Sequence, residues 1–157
     1  MKPTWQYSSE VNELEVDWLG KLHNTTLSSD VLTHGRLKHL AGMAQTTEDH
    51  VSRLGIGLSL RMGTIKEDWK PYPLGADDAP ISVVTEKQIR GKTLFKDDLP
   101  LLCALVLQHQ VPTDYDDWRA TLRAHWERGV QLLTQKGSGE TDWLRIIAKL
   151  PLTEKVA

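Results

Sequence analysis

DYDDWRATLRAHWERGVQLLTQ, residues 114–135, is the stretch that sets the fold class. Trp118, Leu122, Trp126, Val130 and Leu133 recur at the three- and four-residue intervals that line one face of an α-helix, so a long helix is predicted over 114–135. Asp114, Asp116 and Asp117 crowd its start, where the positive end of the helix dipole favours negative charge; they read as capping residues, not a catalytic carboxylate cluster. Gly137 follows as a stop, and Val111-Pro112-Thr113 breaks the chain just upstream.

Working outward, PLLCALVLQ at 100–108 is apolar almost all round and predicts the core helix, capped by Asp97 or Asp98 with Pro100 in its first turn. Leu37, Leu40, Ala41 and Ala44 give a helix over 29–44 with Ser28 or Ser29 as N-cap. Thr46 or Thr47 restarts a helix whose buried stripe is Val51, Leu54, Leu58 and Met62. Trp143, Ile146, Ile147 and Leu150 predict a last helix over 141–150. HNTTL (23–27) is β-compatible, so the chain is expected to open with a short strand followed by two helices, in the manner of a ribbon-helix-helix or helix-turn-helix protein. Residues 63–85 hold three prolines and two glycines and read as a long surface connection in which ISVVT (81–85) forms a brief strand. The expected fold is therefore mainly α, a compact domain of about five helices.

The bulk composition sets limits. A chain of 157 residues, 39% hydrophobic and 25% charged, is the size of one globular domain. The single cysteine, Cys103, lies among aliphatic residues and reads as a buried small hydrophobe in a reducing, cytoplasmic setting. No apolar run is long enough to span a bilayer, and the N-terminus has no signal-like segment, so no membrane partner is expected. The net charge of −2 is distributed unevenly. Glu10, Glu13, Glu15, Asp17 and Asp30 precede Arg36, Lys38, Arg53, Arg61, Lys66 and Lys70, so acid comes first and base second.

Gly91-Lys92-Thr93 matches the end of a nucleotide-binding P-loop, but Glu86 occupies the position of the first glycine and no Gly-rich arc precedes it; no nucleotide or other cofactor is expected. The six histidines lack the i, i+4 spacing that would bring two ligands to one helix face, so no metal is expected. Lys87, Arg90, Lys92 and Lys96 form a dense basic segment around Gly91, suited to phosphates. Gly55 and Gly57 are costly inside a helix, about 1 kcal/mol each relative to Ala, which points to close backbone approach, within the fold or between subunits.

Two segments carry a further likeness: Arg53-Leu54-Gly55 followed by Leu58-Ser59-Leu60, and LRAHWERGVQLL at 122–133, with Arg123-Ala124-His125, Arg128-Gly129 and Leu132-Leu133. Together they resemble DndE, the small-subunit family of bacterial DNA sulfur-modification (phosphorothioation) systems, defences of the restriction-modification kind. The resemblance covers about residues 27–150, so that 27–157 is expected to form a DndE-like domain after an N-terminal extension, 1–26, of unassigned role. It implies a helical homo-oligomer such as a tetramer, and the costly Gly55 and Gly57 mark the helix expected at its interface. It also implies a non-catalytic subunit that holds the backbone of double-stranded DNA for the other subunits of the complex. The family's basic first helix corresponds here to Arg36 and Lys38, although His39, Leu40 and Ala41 stand where further cations are usual. The DNA surface expected is Arg36, Lys38, Lys87, Arg90, Lys92 and Lys96; the alternative is an oligomeric scaffold that touches only protein partners.

Overall fold

Helix termini and one short ribbon organise the chain. The computed structural model describes residues 19–80, 82–137, 145 and 148, so the helix expected over 141–150 and nearly all of the N-terminal extension lie outside the described residues. Residues 19–24 are helical and lead into β1 (Thr26–Ser28), then α1 (Val31–Ala44) and α2 (Glu48–Arg61). A long connection with one 3-10 turn (Gly75–Asp77) reaches β2 (Gln88–Arg90), followed by α3 (Gly91–Phe95), a second 3-10 turn (Lys96–Asp98), α4 (Leu99–Leu107) and α5 (Tyr115–Lys136). The fold is mainly helical, with a two-stranded antiparallel sheet near the N-terminus.

Local chemistry explains the element ends. Asp30, not Ser28 or Ser29, caps α1, its carboxylate accepting from Thr33 N at 2.8 Å. Thr47 caps α2, and Gln45, in the left-handed region (φ 52°), makes the tight turn between the two helices. Asp114 caps α5 by accepting from Asp117 N at 2.8 Å. Asp98 precedes α4 but makes no side-chain cap bond, because the 3-10 turn before it already delivers a helical backbone.

β1 pairs with β2 in the register Thr26↔Arg90, Leu27↔Ile89, Ser28↔Gln88, which buries Leu27 and Ile89 and leaves the flanking residues outward. The strand starts later than HNTTL because residues 19–24 take helix instead. Residues 82–85 form no strand; the second strand is in the basic segment, which the sequence left as loop.

α5, not α4, is the central helix. Its Trp118, Leu122, Trp126, Val130 and Leu133 are buried, and its main partner is α2. α4 buries Leu99, Leu102 and Val106 and leaves Leu101 59% exposed, with Cys103 only half-buried. The α2 face against α5 is small and hydroxylated: Ser52, Gly55 and Ser59, one helical turn apart. Gly55 meets Gly129 so closely that a Cβ on Gly129 would fall on the Gly55 carbonyl. Trp126 Nε1 donates to Ser52 Oγ at 2.9 Å, and Ser59 Oγ contacts His125 Nδ1 at 2.9 Å.

A candidate nucleic-acid interface

The residues that carry the resemblance mostly build this crossing. Arg53 Nη1 donates to the carbonyls of Thr93 and Leu94 at 3.2 and 3.3 Å and so closes the C-terminal end of α3. Arg128 does the same for α2: its guanidinium donates to Ser59 O (2.6 Å), Gly63 O (2.8 Å) and Ser59 Oγ (2.8 Å). Ser59 Oγ thus sits between the Arg128 guanidinium, from which it accepts, and His125 Nδ1, in a buried polar cluster at the crossing. Burial, with the charge of Arg128 and of His109 in support, pushes the His125 pKa down to about 4. Glu127 accepts from Asp30 N at 3.1 Å and from Arg123 Nε at 3.0 Å; burial pushes its carboxyl above the usual range.

Two expected assignments are corrected by this geometry. Gly55 packs against Gly129 of its own chain, which explains the residue without a second subunit; Gly57 has no neighbour within 4 Å of where a Cβ would lie and stays half-exposed. Arg36 is fully buried and cannot present itself to DNA. Its Nε and Nη2 clasp Asp78 at 2.8 and 2.9 Å, Nη2 also donates to Tyr72 O at 2.7 Å, and Nη1 donates to Gln131 Oε1 at 2.9 Å. Hydrogen bonding from Arg36 holds the Asp78 carboxyl below the ordinary range against the opposing effect of burial. This clasp fastens the long connection to α1 and α5, so 63–85 is not a merely superficial loop.

The remaining cations fall into two groups. Arg90, Lys92 and Lys96 are exposed along β2, α3 and the turn after it, and none of them forms an ion pair among the described residues. Lys87 is half-buried, with Nζ 3.5 Å from Glu48 Oε1, an oxygen also 3.5 Å from His34 Nε2, so its charge is largely answered inside the fold. Lys38, exposed on α1, borders an open groove of about 430 Å³ with His39, Gly42, Met43, Pro80 and Ser82. His34, one turn before Lys38, takes hold of the following chain through Thr85 O at 2.8 Å, which links that groove to the basic segment.

Gly91 answers the question raised by Gly91-Lys92-Thr93. A Cβ there would fall on Leu22 O, and Gly91 N donates to Thr25 O at 2.9 Å; the glycine serves close packing at the ribbon's end. Among the described residues no group of three or more His, Cys, Asp and Glu is placed to hold a metal, and no helix is long and apolar enough to cross a membrane.

Arg119 is a basic residue that sequence reading passed over. It lies on α5, far in sequence from Arg90, Lys92 and Lys96, yet its Nη2 donates to Thr26 O in β1 at 2.8 Å. Only the tertiary packing of α5 on the ribbon, which the sequence does not state, brings it to Thr26, the residue paired with Arg90. No protein-family model, curated protein or solved structure matches the chain.

Proposed function

We propose that the protein is a non-catalytic subunit that holds double-stranded DNA by its phosphate backbone. One observation carries this reading: Arg90, Lys92 and Lys96 project from a short segment that is pinned at both ends, and no carboxylate neutralises them among the described residues. Pinning comes from Gly91 N on Thr25 O and from Arg53 on the α3 carbonyls. Cations fixed on a rigid frame lose less side-chain and loop entropy on binding than cations on a loose tail. No aromatic ring stands exposed in that segment to stack on an unpaired base, which favours contact with the backbone of a duplex over single strands. The likeness of the α2 and α5 motifs to DndE supports a role in DNA sulfur modification, beside other subunits that do the chemistry.

Fluorescence anisotropy on two duplexes of unrelated sequence tests the reading. Similar affinities that fall steeply with salt are expected, since displaced counterions and not base edges set the energy. Salt-insensitive or absent binding to both would remove the DNA backbone as the ligand.

A second reading, the protein scaffold, is favoured by a different observation. Residues 99–111 carry no charged group apart from His109, and Leu101 (59% exposed), Leu107 (39%) and Val111 (75%) present an apolar outer face on and just after α4. Light scattering on Leu101→Asp discriminates: loss of mass relative to the unaltered protein would assign that face to self-association, and an unchanged mass would remove it.

A further inference from the structure

We infer that Arg119 is a second arm of the anion-binding surface, gripping the same phosphate as Arg90; this rests on the backbone-binding reading above. The ribbon's hydrogen-bond pattern is the starting point. Gly91 N donates to Thr25 O and Ser29 N to Lys87 O, both at 2.9 Å, so residues 25, 27 and 29 turn their backbone polar groups toward β2. The carbonyl of Thr26 therefore points to the opposite edge of β1. An open edge leaves such groups without partners, and here Arg119, from α5, supplies one N–H at 2.8 Å.

Thr26 stands directly across the ladder from Arg90, and both side chains are exposed. Residues opposed in this way have Cβ atoms only about 5 Å apart. The guanidinium of Arg119 is thus tethered to the backbone of the very residue that faces Arg90. A guanidinium has five N–H donors, and the Thr26 carbonyl takes a single one, so most of the Arg119 fork is left for a ligand. Neither arginine forms an ion pair with a carboxylate among the described residues. Arg119 at the open edge of β1 and Arg90 on β2 thus flank Thr26 from its two sides, and an oxyanion lying over Thr26 offsets the repulsion between them while accepting hydrogen bonds from each planar fork. Phosphate diester oxygens have the charge and geometry for this, and a duplex backbone supplies them in series.

The competing explanation is that Arg119 only covers the Thr26 carbonyl. Charge and edge-covering separate in a set of variants measured by anisotropy on a random-sequence duplex across salt concentrations, with melting curves alongside. Arg119→Gln is expected to weaken binding several-fold and lower the slope of log affinity against log salt by about 0.9, with little change in melting temperature. Arg119→Lys should keep most of the slope. Arg90→Gln/Arg119→Gln should lose less than the sum of the two single losses, because both arms hold one phosphate. Salt-dependent binding by the unaltered protein with Arg119→Gln indistinguishable from it would overturn the shared site while leaving the backbone reading intact. So would a loss of melting temperature with no change in slope. No duplex binding by the unaltered protein would remove both.

Discussion

Lys96 sits at φ 48° and ψ −129°, backbone that L-residues adopt only under strain and that glycine adopts freely. Strain of this kind costs about 1–3 kcal/mol and persists where something else selects the side chain. Lys96→Gly should therefore raise the unfolding free energy by roughly 1 kcal/mol in a denaturant titration while weakening DNA binding, opposite signs that a merely solvated lysine would not give. The two central glycines make a second contrast. Gly129→Ala is expected to cost about 1–3 kcal/mol because its methyl falls on the Gly55 carbonyl, whereas Gly57→Ala, with open space around it, should stabilise by about 1 kcal/mol through helix propensity. Sequence reading saw that Gly55 needed a close backbone neighbour. It could not tell a neighbour in the same chain from one in another, because its partner, Gly129, lies 74 positions away and only the fold brings the two together. Arg36 and Lys38 show the same limit: two residues apart on one helix, they face opposite environments, and the sequence signal for burial was the remote pair Asp78 and Gln131.

At the scale of elements, the α2/α5 crossing and the Arg36 clasp govern response to acid. His125 titrates at about 4 in the fold and nearer 6.5 when unfolded, so the unfolded chain takes up the proton first. The stability it supports is fully present above pH 6.5 and is lost as pH falls toward 4, on the order of 3 kcal/mol at most. Asp78, held low by Arg36, has the same sign below the ordinary carboxylate range; Glu127, pushed up by burial, has the opposite sign. Comparing His125→Gln with the unaltered chain isolates the first: the variant should lose less stability between pH 6.5 and 4 in chemical unfolding. Removing the Asp78 carboxylate by Asp78→Ala leaves a buried guanidinium partly unpaired and should cost roughly 3–5 kcal/mol. The longer helices α1, α2, α4 and α5 were legible because their periodicity and caps are written in residues such as Trp118, Leu122, Trp126, Val130, Thr47 and Asp114. The short helix at 19–24 and α3 carry no such pattern and read from sequence as strand and loop. The central role given to α4 was not correct. Uniform apolarity does not say which face is covered, and α5 took the centre because its Ser52–Gly55–Ser59 counterpart on α2 allows closer approach than leucines would.

The whole molecule combines a helical frame with a basic edge. α2 and α5 lock together, Arg53 fastens α3 to that lock, and the ribbon holds Arg90 opposite Thr26, so cations distant in sequence are presented on fixed backbone. The basic segment was visible in the sequence as Lys87, Arg90, Lys92 and Lys96; that Lys87 is engaged by Glu48 and that Arg119 joins the edge depends on tertiary packing alone. The most direct test is the salt dependence of duplex binding by Arg90→Gln/Lys92→Gln/Lys96→Gln beside the unaltered protein. A slope flattened by about 0.9 for each phosphate no longer neutralised, the same on every sequence and with an unchanged melting curve, is the expected result. A folded triple variant that keeps the full affinity and slope would show that the edge is a solvated face and that DNA is not held there.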